Sequence, residues 1–294
     1  MAQATAGIVR PALDAVRSSP GRRVFEGRRP GAASSVAILA GIAFVTVLIA
    51  VPLVSVFVEA FSAGGSTFFA AFADPYARSA IVLTLEVGVA TLVVNTLFGI
   101  LAGWTIAKYR FPGKALLISA IDVPLSVSPV VAGLAVLFSV GIHSPLGAWL
   151  LAHGIRVAFA PAGIALATMF VTFPYVAREF AAFLQEQGRE LEEAAISMGA
   201  SLWQTLWRVT LPNARWALLG GMLLCNARAL GEFGAVSVIS GRIRGLTDTV
   251  PLHIEILYNE DAFAAAFSLS AGLAIVTIGL TLLRTYAERR SARG

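Results

Sequence analysis

Long runs of apolar residues, parted by short polar stretches, set the plan of this chain. The first run, Ser35 to Phe57, has the length to cross the roughly 30 Å hydrocarbon core of a bilayer and is too long for the core of a cleaved signal segment. The same criterion predicts five further transmembrane helices, over 80–107, 115–140, 159–183, 214–239 and 265–286. Pro124 and Pro129 in the third and Pro174 in the fourth predict kinks, which bundles tolerate where neighbouring helices satisfy the freed backbone groups. Gly88, Gly99 and Gly103 predict close helix contacts along the second. One segment departs from the pattern. Between spans four and five, Glu193–Pro212 reads EAAISMGASLWQTLWRVTLP, with apolar residues at Leu191, Ala195, Met198, Leu202, Leu206 and Val209. Steps of three and four draw one stripe down a helical surface. Gly199 predicts a corner between two short helices, because glycine accepts backbone angles that other residues resist. Pro212 is expected to stop the second helix from running on unbroken.

Composition settles the class. Hydrophobic residues fill 57% of the 294 positions and charged residues 13%, against about 25% charged in a water-soluble domain. With a mean hydropathy of +0.79, the chain is expected to be an all-α, polytopic membrane protein. The pI of 9.9 would suit nucleic acid, but the basic residues lie between apolar spans rather than on a soluble face, which excludes that class. The single cysteine, Cys225, falls inside a span, so no intrachain disulfide forms; His143, His153 and His253 follow no metal-ligand spacing. Residues 1–34, rich in Ala, Gly, Ser, Pro and Arg, read as a mobile N-terminal tail. Residues 35–286 form the transmembrane domain, which includes the loop 184–213, and 287–294 form a C-terminal tail.

Lysine and arginine report the orientation. With the N-terminus inside, the tail holds Arg10, Arg17, Arg22, Arg23, Arg28 and Arg29. The later inner segments hold Lys108, Arg110 and Lys114, then Arg178, Arg189, Arg208 and Arg215, then Arg284, Arg289, Arg290 and Arg293. Seventeen inner basic residues stand against four outer ones, Arg78, Arg156, Arg242 and Arg244. Both termini are therefore expected in the cytoplasm, together with the Glu193–Pro212 segment. The outer stretch 240–264 predicts a short amphipathic piece, with Leu252, Ile254, Ile256, Leu257 and Phe263 as its apolar residues. Its charges (Arg242, Arg244, Asp248, Glu255, Glu260 and Asp261) are either simply solvated or meet a soluble partner.

Polar groups inside the spans are candidate transport residues. Arg228 lies near the middle of span five, Glu232 follows one turn later, and Asn95 sits deep in span two. An arginine at mid-bilayer costs about 2.5–3.5 kcal/mol on insertion scales. The i,i+4 spacing places Arg228 and Glu232 on one helical face, either as a structural ion pair or as the polar lining of an anion path. No catalytic constellation occurs, and no G-x-x-x-x-G-K-[ST] phosphate loop. The only Gly-Lys pair, Gly113-Lys114, lacks both the upstream glycine and the following hydroxyl. If ATP powers transport, another chain hydrolyses it.

The run Glu193-Ala194-Ala195, Gly199, Val209 and Leu211-Pro212 resembles the EAA loop of ABC importer permeases, with Val209 where that family often has Ile. The resemblance extends over roughly 36–286. Asp122-Val-Pro124 with Ser128-Pro129-Val-Val-Ala-Gly133 is similar to the third helix of oxyanion permeases. Arg228-Ala-Leu-Gly-Glu232-Phe-Gly and the later His253-Ile-Glu-Ile-Leu-Tyr-Asn-Glu260 resemble the W-type permease subunit of sulfate/thiosulfate importers. Molybdate/tungstate permeases share the Leu-Gly-Glu-Phe-Gly core, so that part does not identify the substrate. The resemblance implies a type I permease fold in the bacterial inner membrane. It implies that Glu193, Ala194, Ala195, Gly199, Val209, Leu211 and Pro212 couple the chain to an ATPase. It also implies a T-type partner permease, two ATP-binding subunits that hold ATP and Mg²⁺, and a periplasmic sulfate-binding protein. A reading from a different class, an ion-coupled secondary anion carrier, would use the buried Arg228 and Glu232. It gives no reason for the EAA spacing, and the inverted repeats common in such carriers are not evident.

Overall fold

A computed structural model of the chain describes residues 32–291. The six tail arginines and Arg293 lie outside those residues. The described chain is helical, without a strand: α1 (Ala32–Ser62), α2 (Gly65–Ala73), α3 (Pro75–Lys108), α4 (Lys114–Ser126), α5 (Pro129–Val140), α6 (Pro145–Ala152) and α7 (Pro161–Gln187). These are followed by α8 (Glu190–Ser197), α9 (Leu202–Thr205), a π-helical segment (Leu206–Thr210), α10 (Leu211–Leu230), α11 (Gly234–Ile239), α12 (Val250–Asn259) and α13 (Phe263–Ser291). By its contacts the chain separates after Val54, and Ser55 onward forms one compact unit. The C-terminal helix continues through Ser291, beyond the boundary expected at 286.

Among the described residues four helices are long and apolar enough to cross a membrane: α1, α3, α7 and α13. The third predicted span is not one kinked helix. It is the pair α4 and α5, bent by 114° at a short break. Val127 (φ −92°, ψ 141°) and Ser128 (φ −57°, ψ 135°) are both extended there. The ring of Pro129 disfavours helical angles at Ser128, the residue before it, and then opens α5 from its first turn. The fifth span is interrupted as well, because α10 ends at Leu230 and α11 begins only at Gly234. Six crossings fit this arrangement when the bent pair counts as one and α10 with α11 as another.

Small residues decide which face of α3 turns inward. Thr91, Asn95, Gly99 and Gly103 are buried at four-residue steps, while Val89, Val93 and Leu97 are exposed. A Cβ on Gly99 would stand 2.8 Å from a methyl of Val176, and one on Gly103 2.8 Å from the Ala177 carbonyl. α3 and α7 therefore pack backbone to backbone, as the glycines of the second span predict. Asn95 pins the same seam, donating from Nδ2 to the Met169 carbonyl (3.2 Å) and to Thr172 Oγ1 (2.9 Å). A further apolar core is shared by α3, α5, α7, α11 and α12 through Leu83, Val136, Ile164, Val236 and Leu252. Gly133 lets α5 touch α11, since a Cβ there would lie 2.5 Å from the Ala235 carbonyl.

Candidate functional site

Lys108 and Thr84 stand on α3, 24 residues apart, which at 1.5 Å per residue is about 36 Å. Lys108 reaches the segment Arg189–Pro212, and Thr84 reaches the stretch 240–262. These are the two ends of one long helix.

At the Lys108 end, α8 opens with Glu190, Glu192 and Glu193, a favourable placement for negative charge against a helix N-terminus. The helix closes in a Schellman turn: Gly199 N–H donates to the Ile196 carbonyl (2.9 Å) and Ala200 N–H to the Ala195 carbonyl (3.1 Å). Gly199 has φ +88°, so the expected corner is formed at the residue that tolerates it best. A capping box then starts α9. Ser201 N–H donates to Gln204 Oε1 (2.9 Å), and Gln204 N–H donates to Ser201 Oγ (3.3 Å). The sequence reading missed this box, although Ser-x-x-Gln is its signature.

The single apolar stripe is not formed. Ala195 and Leu206 are buried, but Leu191 and Leu202 are each 52% exposed and Met198 83%. The corner at Gly199 resets the helical phase, so residues before and after it no longer share a face. Pro212 keeps the second helix from running on unbroken, but through a π-helical interruption rather than a stop. It sits in the first turn of α10, and the chain enters through the π segment, where Leu211 N–H donates five residues back to the Leu206 carbonyl. The wider turn accommodates a ring that would otherwise clash with the preceding carbonyl. Of the seven expected coupling residues, Glu193, Ala194, Gly199 and Pro212 are exposed, Ala195 is buried, and Val209 and Leu211 are half-buried. Trp203 and Trp207 add a broad exposed apolar surface beside them. Trp203 also lies 6.4 Å, ring to ring, from Trp104 of α3.

Behind this surface lies a polar cluster absent from the sequence reading. Glu192, not Glu193, is buried, and its Oε2 stands 2.7 Å from Lys108 Nζ. Thr210 Oγ1 donates to the other oxygen of Glu192 (3.1 Å). Lys108 counted only toward orientation in the sequence, and nothing in the local pattern separates Glu192 from its two acidic neighbours.

The intramembrane charges do not meet as the i,i+4 spacing predicts. Arg228 occupies the last turn of α10, whereas Glu232 lies beyond the helix end, so the two share no helical face. Arg228 is exposed and holds its guanidinium 5.8 Å from the Tyr175 ring centroid, a cation–π contact with α7. Glu232 is buried and caps α11, accepting from the Ala235 N–H (2.9 Å). Asn95 is buried in the α3–α7 seam described above. The structure thus separates the three candidate path residues, leaving only Arg228 on an open face.

At the Thr84 end, the expected amphipathic piece is α12, with Val250, Leu252 and His253 buried. His253 Nδ1 donates to Asp248 Oδ2 (2.9 Å), both side chains being buried, while Asp248 Oδ1 accepts from the Gly245 N–H (2.9 Å). Arg242 pairs with Glu255 (3.2 Å) and Arg244 with Glu260. Val250 N–H donates to Thr84 Oγ1 (2.8 Å), which ties this segment to α3. Of the six charges read as solvated or awaiting a partner, five are engaged within the segment itself.

The family of binding-protein-dependent transport system inner membrane components matches residues 95–293. The chain is 44% identical to the sulfate transport system permease protein CysW of Synechocystis sp., over 84% of this chain and 90% of that one. It is 45% identical to CysW of Escherichia coli (strain K12), over 83% and 84%. To the permease protein CysT of the same organism it is 33% identical, over 82% and 86%. Among solved structures it is similar to a bacterial alginate ABC transporter in complex with an alginate pentasaccharide-bound periplasmic protein. That likeness covers 92% of this chain and 98% of that one, with 17% identity and a TM-score of 0.70, and it shows the fold.

Proposed function

The chain belongs to the family of binding-protein-dependent transport system inner membrane components, and from that premise we propose that it is one of two permease subunits of an ATP-driven sulfate/thiosulfate importer. It is a multi-pass membrane transport component with an importer-permease fold. One observation carries the substrate: identity to CysW proteins of 44–46% over more than four fifths of this chain. The lower identity to CysT, 33%, fits a heterodimer in which a T-type chain is the partner permease.

In this reading both termini and the α8–α9 corner face the cytoplasm, as the seventeen-to-four bias of basic residues supports. The corner docks on one of two ATPase subunits through Glu193, Ala194, Gly199 and Pro212, with Ala195, Val209 and Leu211 packed behind to hold its shape and Met198, Trp203 and Trp207 supplying apolar contact. ATP and Mg²⁺ belong to that partner, because this sequence holds no phosphate-binding loop. A periplasmic sulfate-binding protein delivers the anion at the opposite end. Arg228 lines the path, on a face left open for the partner permease, and offsets part of the anion's lost hydration. Tyr175 orients the guanidinium. Asn95 and Glu232 act behind it, holding α3 to α7 and the start of α11.

In cells stripped of their own sulfate permeases, the chain expressed with these partners restores uptake of radiolabelled sulfate that follows ATP rather than the ion gradient. Uptake collapsed by an ionophore at constant ATP would instead identify a secondary carrier, and stronger competition by molybdate than by thiosulfate would reassign the substrate. Replacing Arg228 alone by Leu leaves subunit assembly intact and removes most sulfate flux. Wild-type uptake by that variant would exclude Arg228 from the path.

A further inference from the structure

The ammonium of Lys108 is saturated. Its side chain is 9% exposed and donates to the Leu184 carbonyl (3.3 Å), the Gly188 carbonyl and Glu192 Oε2 (2.7 Å), three acceptors for three N–H groups. The two carbonyls lie at the end of α7, where a helix leaves its last C=O groups without intrahelical partners and where a cation opposes the helix dipole. Glu192 is equally committed, with one oxygen on Lys108 and the other on Thr210. Thr210 closes the π segment that leads into α10. One buried network therefore joins the ends of α3 and α7, the first turn of α8 and the entry to α10. Burying an ammonium and a carboxylate is costly unless each is paired and hydrogen-bonded, as both are here, so little slack remains for the corner to move without the helices.

We infer that Lys108, with Glu192 and Thr210, is the joint that converts displacement of the α8–α9 corner into displacement of α3, α7 and α10. Lys108 is a positioning residue. It touches neither substrate nor nucleotide, and it acts by keeping corner and helices in one rigid body. The inference rests on the reading that the corner docks on the ATPase.

The test uses the complete importer in liposomes, with ATP hydrolysis and sulfate uptake measured on the same vesicles. K108M lowers the sulfate moved per ATP by about five-fold or more, the low end of ordinary intersite coupling. K108R keeps the charge but not the compact three-donor head, so it recovers only part of the ratio that K108M loses. E192Q lowers the same ratio, and K108M/E192Q is no worse than K108M, since members of one network are not additive. An unchanged ratio in K108M, or single effects that multiply in the double variant, overturns the inference. Should K108M fail to assemble, T210V decides: it removes one hydrogen bond and keeps the shape, and a ratio equal to wild type overturns the joint. Cross-linking of M198C to the ATPase, in a C225A background, separates the two layers. Without the cross-link the docking reading fails and takes the joint with it. With the cross-link present and the ratio unchanged, the joint alone fails.

Discussion

The two ends of α3 hold segments of opposite character. In the stretch 240–262 the charges close on themselves: Arg242 meets Glu255, Arg244 meets Glu260, Asp248 and His253 are buried together, and Thr84 receives the Val250 N–H, while Ile243, Leu246 and Tyr258 stay exposed. The α8–α9 corner does the reverse. Glu192 is spent at the rear, on Lys108 and Thr210, while Ile196, Met198, Leu202, Trp203 and Trp207 stand exposed in front beside the exposed Glu190, Glu193 and Arg208. Under the proposed function, the difference distinguishes the end that meets a fixed partner from the end that meets a transient one. A segment whose charges are already paired can meet a transient visitor with little rearrangement. An apolar front on a polar loop is the kind of surface that the proposed docking on an ATPase subunit would cover.

Three experiments break or sharpen this contrast. The largest effect belongs to the open end. W203S/W207S reduces co-purification of the ATPase subunits and sulfate uptake by about tenfold or more, the scale of losing interfacial tryptophan anchors. The thermal midpoint of the isolated chain falls only slightly, by the loss of the Trp203 contact with Trp104. Full retention of the ATPase in that variant would mean that the exposed front is not the docking surface.

The second experiment opens the closed end. H253A leaves the Asp248 carboxylate buried with one partner removed, a loss of about 1–3 kcal/mol that thermal unfolding in detergent reports. ATPase association is unaffected, because the change sits some 36 Å along α3 from the corner. An equal loss of ATPase binding would join the two ends into one unit and dissolve the comparison.

The smallest effect comes from the rim. R242Q or R244Q costs about 0.2–1 kcal/mol, less at high salt, since both pairs are partly exposed. Sulfate uptake at saturating binding protein is unchanged. A large defect in either variant, rescued by excess binding protein, would show that these arginines serve the visitor and not the segment.

Local chemistry was largely legible in the chain. Apolar runs of membrane-crossing length located the four long helices, the EAA-type spacing located the corner, and Gly199 stands at the positive φ that its chemistry permits. The Ser201–Gln204 box was legible too and passed unread. The break at Val127 and Ser128 was half legible: Pro129 announced an interruption, but a proline alone does not say whether a helix kinks or folds back through 114°.

Three matters only the tertiary structure decided. Along α3 both faces are apolar; the glycines announce a close contact, but packing alone decides that the helix met by Asn95, Gly99 and Gly103 is α7. Arg228 and Glu232, four residues apart, look like a pair until α10 ends between them and sends one to Tyr175 and the other to the start of α11. Glu192 and Lys108 are 84 residues apart, and their meeting depends on where α3 and α7 end in space. Spacing within one helix is written in the sequence because the backbone repeats every 3.6 residues. The meeting of two helix ends is not, because it is set by the packing of all the helices between them.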